Sequence, residues 1–202
     1  PTNFLGPEAY MAHMGRISDE PDAAWVVRLR MRDAGAFSQL IECYERPMFN
    51  VAYRMLGNAA EAADATQDVF LKVFENIAGY DPQYRLFSWI YRIAMNESID
   101  RLKHRRHAES VTMDLDDFPL ASAERGPEQM AGDAQMHDVI QTALMELPYD
   151  HRVVIVLRHF AECSYVQMAE ILHIPEKTVK SRLYSARQEL HQKLFARGVA
   201  AA

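Results

Sequence analysis

Residues 164–190, SYVQMAEILHIPEKTVKSRLYSARQEL, carry the period of two helices separated by a single tight break. Tyr165, Met168, Ala169 and Leu172 recur at helical spacing and are expected to form the inner stripe of the first helix. His173-Ile174-Pro175 interrupts that stripe. Proline fits the edge of the next helix because its missing N–H needs no partner there. Val179, Leu183, Ala186 and Leu190 then fall on one side, while Lys177, Lys180, Ser181, Tyr184 and Ser185 take another, flanked by Arg182 and Arg187. A DNA major groove admits one helix and requires donors for base edges and cations for phosphates, and this face supplies both. Many solvated helices are also charged on one side. The turn chemistry, the partner helix and the clean partition favour a DNA-reading helix-turn-helix here.

The rest of the chain reads as helices with few alternating stretches. Val26, Val27, Leu29 and Met31 begin one, and Asp33-Ala34-Gly35 punctuates it. Phe37, Leu40, Ile41, Tyr44, Met48, Val51, Met55 and Leu56 follow steps of three and four, with Pro47 placed to kink or divide the segment and Gly57-Asn58 to end it. Residues 59–78 form a further helix with a core stripe of Val69, Phe70, Val73, Phe74 and Ile77; 79–85 form a loop; 86 to about 105 form a long helix burying Phe87, Ile90, Ile93 and Ala94. Helices resume at Asp133 with Met136, Val139, Ile140, Ala143, Leu144 and Leu147, and again with Val153, Val154, Val156, Leu157 and Phe160. The expected fold is all-α: two small helical domains joined by a flexible acidic linker, the second containing the helix-turn-helix. The divisions are an N-terminal extension (1–22), a first domain (23–107), the linker (108–132), a second domain (133–197) and a tail (198–202).

The formal net charge of −6 hides an asymmetry. Residues 85–107 hold six Lys/Arg against two acids, and 173–197 again hold six against two, whereas 108–138 hold eight acids and one Arg. Two basic patches bracket an acidic strap. The local field governs binding to a polyanion, so a nucleic-acid partner survives the overall sign. Cys43 and Cys163 are far apart and read as reduced thiols, which points to the cytoplasm. No apolar run approaches the roughly 20 residues of a membrane span, and the start lacks the pattern of a secretory signal. His104 and His107 have no Cys or carboxylate cluster to complete a metal site, and no phosphate loop, dinucleotide motif or catalytic constellation is present, so neither cofactor nor enzyme activity is expected.

Taken together, the two lobes resemble the extracytoplasmic-function (ECF) sigma factors of bacterial RNA polymerase. The likeness rests on DAGAFSQLIECY (33–44), ADATQDVFLKVF (63–74) and FSWIYRIAMNESIDRLKHRR (87–106) in the first lobe, and on LPYDHRVVIVLRHF (147–160) with the helix-turn-helix ending in TVKSRLYSAR (178–187) in the second. It implies core RNA polymerase, promoter DNA (duplex and melted strand) and an anti-sigma factor as partners, with no cofactor. It also implies that Asp64, Gln67 and Asp68 face the polymerase while Phe70 anchors their helix from beneath. The third motif would capture the melted minus-ten strand: Tyr80 and Tyr84 around a flipped base on the loop that ends at Arg85, Asn96 with Asp100 along the helix, and Arg92, Arg101 and Arg105 toward phosphates. Trp89 fits the pattern either as a stacking ring or as core packing.

The second lobe would read the minus-thirty-five element. Lys180, Ser181, Tyr184 and Ser185 are assigned to the groove, and Lys177, Thr178, Arg182 and Arg187 to backbone or base. Two departures matter. Lys177 stands where the family often has glycine, and Ser185 stands where many relatives have arginine, so the promoter sequence cannot be copied from them. The competing reading is an autonomous helix-turn-helix regulator, which would bind a palindromic duplex operator tightly and alone.

Overall fold

Three local signals set the first lobe. Asp33 accepts from the N–H groups of Gly35 (2.8 Å) and Ala36 (3.1 Å), capping one helix, and Asn58 accepts from Glu61 N–H at 3.0 Å, capping the next. Between them Gly57 adopts φ 77 and turns its N–H back to the Tyr53 carbonyl at 2.9 Å. The computed structural model describes residues 22–112 and 131–199, with side chains over 24–107 and 135–199. Among them every regular element is helical: α1 (Asp22–Arg30), α2 (Ala34–Leu56), α3 (Ala59–Asn76), a 3-10 turn (Ile77–Gly79), α4 (Leu86–Thr112), α5 (Ala131–Met145), α6 (Tyr149–His159), α7 (Tyr165–Leu172) and α8 (Glu176–Phe195). The extension before residue 22, the middle of the expected linker and the last three residues lie outside the described residues.

Helices α1–α4 enclose Leu29, Leu40, Met48, Val69 and Ile90, and α5–α8 enclose Leu144, Leu147, Met168, Val179 and Leu183. Each such side chain contributes roughly 1.5–3 kcal/mol by leaving water. Helix α6 is the exception to one-sided burial: Arg152 through Leu157 are all buried. It packs on α7 and α8 within its own lobe and on α2 and α4 of the other. A helix buried all round is expected where it is enclosed from several sides.

The lobes therefore meet directly rather than being held by a strap alone. Arg54 donates to Gln141 Oε1 at 3.0 Å, Gln141 donates to the Tyr53 carbonyl at 3.1 Å, and the Arg54 guanidinium lies 4.5 Å from the Phe160 ring centroid. Arg152 reaches across to the Met55 carbonyl at 2.6 Å. A Cβ built on Gly57 would stand 2.5 Å from Met145 Sδ of the second lobe. Gly57→Ala adds that clash to left-handed strain and is expected to cost about 1–3 kcal/mol in urea unfolding. Trimming Met145 to alanine in the same chain should remove the steric share; an equal loss in both backgrounds would contradict the contact.

Several expectations need correction. Pro47 does not divide α2, because Tyr44, Met48 and Val51 on either side of it are buried and hold the helix together. Helix α3 stops at Asn76 and its last turn tightens to 3-10 geometry. Helix α4 runs to Thr112, into the expected linker, since no Gly or Pro occurs between 86 and 118; α5 likewise begins at Ala131. Phe74 and Met136 are exposed rather than core, and Ile171, not Leu172, is the fully buried partner of Met168 in α7.

Candidate nucleic-acid and polymerase interfaces

The turn between α7 and α8 forms as its chemistry demands. Ser164 and Gln167 make a reciprocal capping box at the start of α7. His173 takes φ 52 to close it, and Pro175 precedes α8. Val179, Leu183 and Ala186 point into the lobe. Lys177, Lys180, Ser181, Tyr184, Ser185 and Arg187 are exposed, Tyr184 at 65 %. Lys180 pairs with Glu176 at 2.6 Å, which raises its pKa and keeps it cationic. Arg187 donates to His159 Nε2 at 3.3 Å; burial first, then Arg187 and Arg158, lower the pKa of that imidazole. Thr178 and Arg182 are half-buried, and Arg182 turns toward Asp150 of α6 at 3.7 Å, away from the open face. Gln188, His191 and Gln192 extend the face in an open hollow of about 530 Å³ with Tyr184 and Arg187. None of the three was expected from the sequence, although Gln188 and His191 lie one turn beyond Tyr184 and Arg187, and Gln192 one turn beyond Gln188.

The residues expected to capture a strand are less uniformly placed. Arg85, Asn96 and Asp100 are exposed, and Asp100 sits 3.7 Å from Lys103. Tyr80 is buried: its ring meets Trp89 edge-on at 5.4 Å and its hydroxyl donates to the Tyr84 carbonyl. Tyr80 thus braces the loop from within against Trp89, while Trp89 and Tyr84 are both half-buried. Arg101 and Arg105 are also engaged. Arg101 donates to Glu97 at 2.6 Å and to Asp68, and Arg105 pairs with Glu61. Glu97 lies one turn back on α4 itself, but Asp68 and Glu61 lie on α3, far away in sequence, which counting charges along α4 cannot reveal.

Glu97 is the centre of that network, with Lys72 as a second cation. Burial pushes its pKa up, and hydrogen bonds from Lys72 and Arg101 outweigh this and hold it below the ordinary 4.5. A depressed carboxylate stabilises the fold above its unfolded pKa and loses that contribution as pH falls through the folded one. Stability of the chain is therefore expected to drop below pH 4.5, and to drop less steeply in Glu97→Gln. Melting curves taken between neutral pH and pH 3 should converge toward acid; curves that stay parallel would contradict the network.

An open apolar groove of about 1010 Å³ runs between α2 and α3. Phe37, Ile41 and Phe49 line one wall and Gln67, Phe70, Leu71 and Phe74 the other. Leu71 is 58 % exposed, and Phe37 meets Phe74 edge-on at 4.7 Å. A contiguous exposed apolar patch of this kind marks a docking surface. Gln67 and Phe70 belong to it, and Asp64 is exposed on the same helix. Asp68 departs from the expectation, being paired with Arg101 on the side facing α4.

Models of two sequence families match in the order of the two lobes: Sigma-70 region 2 over residues 40–108 and Sigma-70 region 4 over 137–190. The ECF RNA polymerase sigma factor SigW of Bacillus subtilis is 30% identical over 176 residues, covering 84% of this chain and 94% of that protein. The chain belongs to the ECF sigma factors. The RNA polymerase sigma-H factor of Pseudomonas aeruginosa is 29% identical over 189 residues, covering 88% of this sigma factor and 96% of that one. The fold is also that of CnrH in its complex with the cytosolic domain of CnrY, at a TM-score of 0.65 and 21% identity, covering 87% of this sigma factor and 97% of CnrH. It is shared too with the sigma factor RpoE from Bartonella quintana, solved with the anti-sigma factor NepR, at a TM-score of 0.60 and 23% identity over 78% of this chain and 96% of that one. Among the described residues of the sigma factor, no helix is long and apolar enough to cross a membrane.

Proposed function

We propose that this ECF sigma factor docks core RNA polymerase through the α2–α3 groove, reads the minus-thirty-five duplex with α8, and holds the melted minus-ten strand on the loop 79–85 and the exposed face of α4. The observation that carries this reading is the separation of surfaces: an apolar groove with Asp64, Gln67 and Phe70 at one place, and a cationic, hydroxyl-bearing helix face at another. Arg85, Arg92 and Asn96 serve the strand. Arg101 and Arg105 serve it after exchanging their acids for phosphates. The factor acts in the cytoplasm and leaves the chemistry of RNA synthesis to the polymerase. An anti-sigma factor covering the same surfaces is its regulator, a reading supported by the complex of RpoE from Bartonella quintana with the anti-sigma factor NepR.

Footprinting of genomic promoter fragments tests the assignment. Two blocks of protection near minus thirty-five and minus ten, appearing only when core polymerase is added, are expected. Tight protection of a palindromic duplex by the free chain, unchanged by core, would overturn it in favour of an autonomous regulator.

A further inference from the structure

One part of the strand-capture face is already occupied by the chain itself. Ser88 and Arg92, one turn apart on α4, both bind Glu170 of α7: Ser88 Oγ donates to Glu170 Oε2 at 2.7 Å, and Arg92 Nη2 donates to the Glu170 carbonyl at 2.6 Å. The Arg92 guanidinium lies 5.1 Å from the Tyr84 ring centroid, and that ring meets His173, at the end of α7, at 5.9 Å. Ser88 is fully buried, and Arg92 Nε is buried without an acceptor. A hydroxyl donor, a guanidinium and an aromatic ring side by side form the combination that takes a phosphate and its base from a single strand. The oxygens bound there now, one carboxylate and one carbonyl, are acceptors of the same kind as a phosphodiester's.

We propose that Ser88, Arg92 and Tyr84 form a backbone-phosphate subsite for single-stranded DNA, and that Glu170 is a competitor built into the chain that keeps it shut until the lobes part. The inference rests on reading α4 as the strand-capturing helix. Ser88 then becomes a strand ligand that is hidden in the closed chain. Contacts elsewhere in the lobe interface hold Glu170 in place, so the competitor acts at a high effective concentration. Along α2 the groove runs from Ala34 to Phe49, whose ring stacks on Tyr53 of the clamp at 6.3 Å, and its Ile41 and Leu71 stay exposed, so a docking partner can take hold while the subsite is still closed. The α8 face is exposed throughout, which confines the inhibition to strand capture.

The test uses the full chain and fluorescein-labelled single-stranded DNA of random sequence, read by anisotropy. Glu170→Ala removes the carboxylate from Ser88 but leaves the main-chain carbonyl on Arg92, and should tighten binding about tenfold, the scale of losing one hydrogen bond to a charged group. Adding Arg92→Ala or Ser88→Ala to that background should remove the gain, and circular dichroism establishes that each variant is folded. Unchanged binding in a folded Glu170→Ala chain overturns the proposal, as does a gain that survives loss of both Arg92 and Ser88. Glu170→Gln, which keeps the side chain's volume, should give part of the gain and serves if the alanine variant does not fold. Because the probe contains no promoter and no polymerase, this outcome is separate from the footprint. Core-dependent protection with no effect at Glu170 rejects only the competitor, whereas absence of core-dependent protection rejects the sigma-factor reading itself.

Discussion

Replacing Arg152 by methionine is expected to lower the stability of the chain by about 3–5 kcal/mol, because it strips three carbonyls in the interior of their shared donor. The residue is 3 % exposed in the middle of the molecule. Its guanidinium donates to the carbonyls of Met55 at 2.6 Å, Met145 at 2.6 Å and Leu147 at 3.1 Å. Met55 lies in the last turn of α2 and Met145 ends α5, so one cation satisfies the orphaned carbonyls of two helix C-termini and meets the negative ends of both dipoles. Burial first, and then Arg106 and Arg105 nearby, bring its pKa down to about 10, which still leaves it charged at neutral pH. Methionine fills the stem volume but abandons three acceptors, each costing about 1–3 kcal/mol when buried without a partner. Because Met55 belongs to the first lobe, the variant should also uncouple the lobes. Urea unfolding followed by two probes, one per lobe, should change from a single transition to two. A loss below about 1 kcal/mol with one transition retained would show that the clasp carries little of the stability.

Reversing charge on α8 is expected to have the largest effect on function. In Lys180→Glu with Arg187→Glu, two exposed cations become anions on the face proposed to meet phosphates. Each cation lost should reduce the salt-dependence slope of duplex binding by about one, and affinity should fall roughly a hundredfold or more. The fold should be little affected, because exposed helix pairs such as Lys180–Glu176 contribute only about 0.3–0.5 kcal/mol. Promoter output by the variant with core polymerase should fall in the same proportion, most visibly at moderate salt. Output within a factor of two of the parent chain would mean that α8 does not carry the reading of the duplex.

The helix-turn-helix was legible because its signals are local: the break at His173-Ile174-Pro175 and a stripe at positions 179, 183 and 186 decide it without help from the rest of the chain. What lay hidden depends on partners distant in sequence. Tyr80 looked like a loop aromatic open to a base, yet its place is beneath the loop against Trp89. Arg101 and Arg105 looked like a phosphate cluster, and their acids on α3 become visible only when α3 and α4 pack together. Arg152 is one of several charged or polar residues in YDHRVVIVLRH, and nothing local sets it apart. Its three carbonyl partners lie at the ends of other elements, and end-on encounters leave no period in a sequence. The same holds for Ser88 and Glu170, which are joined only by the closure of one lobe on the other.

The most direct test of two lobes with separate tasks is the affinity of the assembled holoenzyme for two probes, the minus-thirty-five duplex and the single-stranded minus-ten oligonucleotide. Lys180→Glu with Arg187→Glu should lose the duplex and keep the strand, whereas Arg92→Ala should lose the strand and keep the duplex. If both variants lose the same probe to the same degree, the two lobes share one surface and the account is wrong.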